Sequence, residues 1–366
     1  MNKDMKKNIF RCALLLMGAF AFASCSDEGD DVTTPELFNA TDGVYILCEG
    51  SYFSNVAGSL SYLDYATDDV TNGVFASVNG KVLGGTPNDL IIYGSKMYIA
   101  TTDDNRIWVA DANTIQSLGF IEMPQPRKLT SFDGDVYVTS YEGVVSRIDT
   151  TSLTVTAQSD RIVGNLEGIA ALNGFLYVCT AWNSDYTYNN SVVKLRASDL
   201  SKVADIKVRT NPTRILSDGA SIYVQSNGNY SDIPSALQKI DAADKVTTLT
   251  DGATYMALYN NKIYYIDSAY DANWNVTYSY SAYDLQTGEV SALPVGEEVF
   301  SPCGIAIDPC SGIIYISSNS EGEYGMASYT EPGYVVAYST DGSFKTYRTG
   351  VAPSSFAFKT SAHVSE

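Results

Sequence analysis

One short pattern recurs along the chain and limits its fold more than any other feature: a hydrophobic strand centred on tyrosine. It reads Val44-Tyr45-Ile46, Met97-Tyr98-Ile99, Val136-Tyr137-Val138, Leu176-Tyr177-Val178, Ile222-Tyr223-Val224, Ile263-Tyr264-Tyr265 and Ile314-Tyr315-Ile316. The spacing of these tyrosines averages about 45 residues, the period of a four-stranded propeller blade. Other elements repeat in step with them. Each strand but the first follows a tight turn, such as Asp133-Gly134-Asp135 or Asn173-Gly174, whose residue types accept a positive φ. Several are preceded by a strand that opens just after proline, as at Pro87, Pro126, Pro212 and Pro302, where a missing amide is tolerated. A third and a fourth strand follow, the third exemplified by Ile107-Trp108-Val109-Ala110-Asp111. The expected fold is therefore all-β, a seven-bladed β-propeller.

The ends of the chain fit the same scheme. Pro353-Ser354-Ser355-Phe356-Ala357-Phe358 matches a first strand without its tyrosine partner, and residues 43–47 form a tyrosine strand without its first strand. Pairing them closes the ring and removes a free sheet edge. The propeller is expected over residues 43–359, with 360–366 as a polar tail.

The residues before it read as an address. Lys3, Lys6, Lys7 and Arg11 precede an apolar stretch too short to span a bilayer, and Phe22-Ala23-Ser24-Cys25 stands where a cleavage site belongs. Residues 1–24 are thus expected to be a signal peptide. The segment resembles a bacterial lipoprotein signal, which implies that Cys25 is the lipidated first residue of the mature protein. The acidic run 26–31 then resembles an export signal of outer-membrane lipoproteins, so residues 25–42 are expected to be a lipidated tether on the cell surface.

Composition narrows the chemistry. The chain of 366 residues carries a formal charge of −19, so no basic footprint for nucleic acid exists. Its one histidine, His363, lies near the C-terminus, which argues against Ser-His, Cys-His and multi-histidine metal chemistry. No enzyme, cofactor or metal site is expected. Asp103, Asp104, Asp185, Asp271, Glu321 and Glu323 form no calcium-loop pattern and read as solvating charge. Cys48, Cys179, Cys303 and Cys310 show no metal-ligand or disulfide spacing.

Loop length points to one face. Connections between second and third strands are expected at 49–58, 180–190, 225–235, 267–280 and 317–333, all on one side of a propeller, whereas the hairpin turns on the other side are short. These segments carry Tyr52, Phe53 and Asn55; Trp182, Tyr186 and Tyr188; Tyr230; Tyr270 and Trp274; and Tyr324. Rigid amphipathic aromatics beside amides suit a large ligand with apolar faces and polar edges. Tyr141 joins them as a binding candidate. Nearer the axis, Arg127 and Arg214 occupy matching blade positions, where they could clamp a phosphate or carboxylate, or simply pair with Glu167 or Asp89.

The repeats themselves resemble a known family. Tyr98-Ile99-Ala100-Thr101-Thr102 with Ile107 to Thr114, and Tyr137-Val138-Thr139-Ser140 with Arg147-Ile148-Asp149-Thr150, are similar to the YVTN-type repeat of surface-layer propellers. The opening Leu47 to Asn55, followed by Ser59-Leu60-Ser61-Tyr62, resembles the start of lipoprotein propellers that bind cobalamin (vitamin B12) and hand it to a TonB-dependent outer-membrane transporter. That resemblance implies a non-catalytic protein that packs its aromatic loops on the corrin, with amides and arginines meeting its polar groups. A glycan-binding or protein-docking surface propeller is the alternative that the same residues allow.

Overall fold

The computed structural model describes residues 37–270 and 276–364. Seven four-stranded antiparallel sheets follow one another along the chain, each built in sequence order except the one that joins the termini. In that sheet the C-terminal strand Pro353–Val364 lies innermost, beside Leu37–Cys48, then Ser59–Asp64 and Asp69–Thr71. Tyr45 stands opposite Ala357 and Ile46 opposite Phe356. The expected closure between the ends is what holds the ring. It also runs further than the boundaries expected at 43 and 359, because the paired strands continue from Leu37 to Val364 and take in residues 37–42 and 360–364.

The inner strands Pro87–Tyr93, Pro126–Phe132, Asn165–Leu172, Pro212–Ser217, Tyr255–Tyr259, Ser301–Ile307 and Pro353–Val364 each touch the next, so they line a central channel. Side chains of a strand alternate between the two faces of its sheet, and here the two faces meet two different blades. Tyr45 and Leu47 pack toward Met97 and Ile99 of the next blade, while Val44 and Ile46 pack toward Tyr315 and Val335 of the last. The core is accordingly divided among seven interfaces between blades.

The repeated tyrosine has a physical reason. In two copies the buried tyrosine reaches the following blade with its hydroxyl: Tyr45 donates to the carbonyl of Ala112 at 2.9 Å, and Tyr137 to that of Ala197 at 3.2 Å, whereas Tyr223 donates to Asp218 of its own blade at 2.7 Å and the buried Tyr98 hydroxyl has no partner among the described residues. Phenylalanine would fill the space but leave the turn carbonyl unmet. At the last interface Tyr315 instead meets the Tyr65 hydroxyl at 2.6 Å, and Tyr65 donates to the buried carboxylate of Asp308 at 3.1 Å. Thr41 donates to the same carboxylate at 2.6 Å, which fastens the N-terminal strand to the last blade.

Much of the negative charge serves turns between third and fourth strands. The Asp111 carboxylate accepts the amides of Asn113 and Thr114, Asp149 those of Thr151 and Ser152, and Asp284 those of Gln286 and Thr287. These contacts hold each of the three carboxyls below its ordinary pKa.

Candidate functional site: the long-loop face and the channel beneath it

The face opposite those turns carries the connections from second to third strands. Three are long as expected: 49–58, 227–235 and 320–333. Two are shorter than the sequence suggested, because strand pairing continues outward. Phe175–Trp182 pairs with Tyr188–Arg196 as far as Trp182 opposite Tyr188, and Lys262–Tyr270 pairs with Val276–Asp284 as far as Tyr270 opposite Val276. In these blades paired strands extend where longer connections were expected.

At the rim, Phe53 is 99% exposed, Tyr324 92%, and Tyr52, Tyr186, Tyr188, Tyr230 and Tyr329 are also exposed. Asn55 is exposed and holds a positive φ of 55° in its turn. Tyr52 and Phe53 meet edge to face at 5.6 Å between centroids, and Tyr188 and Tyr230 at 6.2 Å. Trp274 lies outside the described residues, and of Tyr270 only the backbone pairing is described.

Below the rim the channel opens as a cavity of about 480 Å³, lined by Glu49, Lys128, Arg214, Tyr255, Tyr278, Cys303, Asn319, Tyr329 and Ser354 among others. A second cavity of about 480 Å³ continues along the axis toward the turn face, past Ile91, Ser131, Ser217 and Met256. Lys128, Arg214, Ser354 and Ser355 line both, so these four residues form the waist between them.

A recurring irregularity delivers these side chains. In six of the seven sheets the head of the inner strand carries a β-bulge against the second strand, with the shift at Asn88, at Arg127 and Lys128, at Glu167 and Gly168, at Thr213, at Cys303 and at Ser354. A bulge bends the strand and re-aims a side chain. Four of the bulges follow a left-handed residue set before proline: Thr86, Gln125, Asn211 and Ala352, with φ between 44° and 62°. The carbonyls of these residues accept the amides of Thr102, Tyr141, Asn227 and Glu49, which ties each bulge to the start of a rim connection.

The bulges decide between the two readings of Arg127, which pairs with Glu167. Arg127 does not face Arg214 across an open channel. Its guanidinium meets Glu167 at 2.9 and 3.2 Å and lies over the Tyr141 ring at 4.4 Å, while the Tyr141 hydroxyl donates to Glu167 at 2.6 Å. Trp182 completes this cluster at 6.3 Å from Tyr141. Burial alone would raise the Glu167 pKa, but the charges of Arg127 and Lys128 and the Tyr141 hydrogen bond hold it below its ordinary value. Arg127, Tyr141 and Trp182 are therefore brought together, and Arg214 stands apart from them.

Lys128, missed in the sequence, takes the axial place. Its ammonium donates to the carbonyl of Asn88 at 2.6 Å and lies 3.9 Å from Asp89. Arg214 lies over the ring of Tyr255 at 4.1 Å, and its Nη1 donates to the carbonyl of Thr254 at 2.9 Å. Burial pushes Tyr255 up to about 12 and the Cys303 thiol up to about 12, so both are neutral at physiological pH. Several buried polar atoms around the mouth have no partner among the described residues: Arg127 Nε, Trp182 Nε1, Asn211 Oδ1, Asn319 Oδ1 and Ser354 Oγ.

The comparisons with known proteins agree on architecture. A quinonprotein alcohol dehydrogenase-like protein from Bacteroides thetaiotaomicron is similar over 88% of this chain and 79% of its own, with a TM-score of 0.65 and 18% identity. The Neurospora crassa Pan2 WD40 domain is similar over 73% of this chain and 79% of its own, with a TM-score of 0.51 and 8% identity. The computationally designed Ika8 protein is similar over 85% of this chain and 82% of its own, with a TM-score of 0.51 and 12% identity. At such identities the likeness is one of fold. No curated protein matches the chain. The family model "Domain of unknown function (DUF5074)" matches residues 42–330, from the ring-closing strand through the rim of the last blade, and the chain belongs to that family.

Proposed function

We propose that this propeller is a non-catalytic capture protein that binds a large amphipathic small molecule on its long-loop face. The observation that carries the reading is the combination of exposed aromatic side chains at the rim with a polar cavity beneath them, in whose lining Asn319 Oδ1 and the Ser354 hydroxyl are buried without a partner among the described residues. Clefts that hold small molecules join apolar walls to a few directed polar groups, and a rigid preformed site loses little entropy on binding. Cobalamin is the ligand that the resemblance of residues 47–62 favours. In this reading a lipid on Cys25 holds the protein at the outer membrane, and the ligand passes to a TonB-dependent transporter.

Isothermal titration of the purified protein with cyanocobalamin tests this. Saturable one-to-one binding, weakened when Phe53, Tyr230 and Tyr324 are each replaced by alanine, is the expected result. Absence of heat, together with an unchanged melting temperature, would remove cobalamin. The same face titrated with oligosaccharides would then decide for a glycan-docking role.

A further inference from the structure

The channel waist sets two cations in a chain that is otherwise strongly acidic. Lys128 and Arg214 line both axial cavities, whereas the formal charge of the chain is −19. Distant carboxylates are screened over roughly 8 Å at physiological salt, so the groups near the waist decide its local field.

Those groups balance in formal charge but pair unevenly. Arg127, the third cation nearby, is neutralised by Glu167. Arg214 has no carboxylate within ion-pair distance among the described residues; its partners there are the Thr254 carbonyl, the Gln225 side chain at 3.4 Å and the Tyr255 ring. Its Nη1 edge is thereby held while the Nε and Nη2 donors have no hydrogen-bond partner among those residues. Lys128 has Asp89 only at 3.9 Å, and burial raises the pKa of that carboxyl despite the opposing pull of Lys128, which weakens it as a counter-ion. Glu49 is the carboxylate of the upper lining.

Two further atoms point the same way. The Ser354 hydroxyl, on the bulge between the two cavities, is buried without a partner, a condition that costs free energy until an acceptor arrives. Asn319 is 4% exposed, lines the upper cavity and has an unpartnered Oδ1, which can take a ligand N–H or O–H beside the anion.

We propose that the channel waist is an anion subsite, where Lys128, Arg214 and the Ser354 hydroxyl receive a carboxylate or phosphate group borne by the ligand that enters from the long-loop face. This deepens the capture reading and rests on it for the direction of approach. The planar guanidinium offers a directed pair of donors, the ammonium a point charge, and the hydroxyl a neutral donor.

The test uses the full chain at low ionic strength, titrated separately with inorganic phosphate and with succinate, and followed by calorimetry and melting temperature. Saturable uptake of at least one anion is expected. Arg214→Gln or Lys128→Met should weaken it by about tenfold or more, the equivalent of one lost charge-assisted hydrogen bond. Arg214→Lys should restore part of it. Preference between phosphate and succinate identifies the anionic group. A wild-type protein that takes up neither anion saturably overturns the proposal whatever the variants do, as does equal uptake by wild type and Arg214→Gln. Anion uptake without any rim-dependent ligand would sink the aromatic-face reading while leaving the subsite standing.

Discussion

Arg127 and Glu167 meet at 2.9 Å from the heads of neighbouring inner strands, with side-chain exposures of 15% and 9%. The contact joins two blades at the point where the channel opens, and Tyr141 closes it from above through its hydroxyl. Removing one partner of a buried pair strands the other charge, at a cost of about 3–5 kcal/mol. Arg127→Met and Glu167→Gln should each lower denaturant stability on that order, and the double variant should recover part of the loss. Additive losses in a double-mutant cycle would show that the pair is not coupled.

The same pair sets a pH dependence. The folded-state pKa of Glu167 lies below its ordinary 4.5, so its stabilisation is fully present above that value and is lost as pH falls through the depressed folded pKa. The stability gap between wild type and Glu167→Gln should therefore hold at neutral pH and shrink on acidification below about 4.5, which chemical denaturation at a series of pH values would reveal. A gap that widened in acid would have the wrong sign.

Rim aromatics should separate binding from stability. Phe53 and Tyr324 are almost fully exposed, so Phe53→Ala and Tyr324→Ala should shift unfolding by less than about 0.5 kcal/mol. If either anchors the ligand, its loss should cost about 2 kcal/mol of binding, roughly thirtyfold in Kd. Melting curves and titrations on the same samples check both halves.

Backbone strain beneath the site makes an opposite prediction. Ala352 holds a φ of 54° just before Pro353, where a Cβ is disfavoured by about 1–2 kcal/mol. Ala352→Gly should remove that cost and lose part of the gain to unfolded-chain entropy, for a net stabilisation of about 0.5 kcal/mol. Ala352→Val should destabilise. Thermal unfolding of both variants distinguishes relief of strain from a simple change in packing.

At the ring closure, Tyr65→Phe removes a hydroxyl shared by Tyr315 and Asp308 and should cost about 1–2 kcal/mol by leaving buried polar atoms short of a partner. A variant as stable as wild type in urea would mean that the N-terminal strand does not depend on this contact.

The ring was legible in the sequence because its determinants are local and repeated. Tyr45, Tyr98, Tyr137, Tyr177, Tyr223, Tyr264 and Tyr315 all occupy second strands, as the spacing required. The waist was not legible, since a bulge adds a residue without changing composition. Pro126-Arg127-Lys128-Leu129 reads as one arginine facing the axis until the shift between Pro126 and Leu129 sends Arg127 to Glu167 and Lys128 to the channel. The hairpin arms were misread for a related reason. Polar, tyrosine-rich runs such as Tyr188-Asn189-Asn190 look like loop in a chain whose buried strands are aliphatic, yet cross-strand pairing holds them as strand.

Closing the sheet with one strand from each end also gives the molecule a polarity. Leu37–Cys48 climbs from the turn face and delivers Glu49 to the mouth of the channel, so whatever grips the chain ahead of Leu37 grips it from the underside.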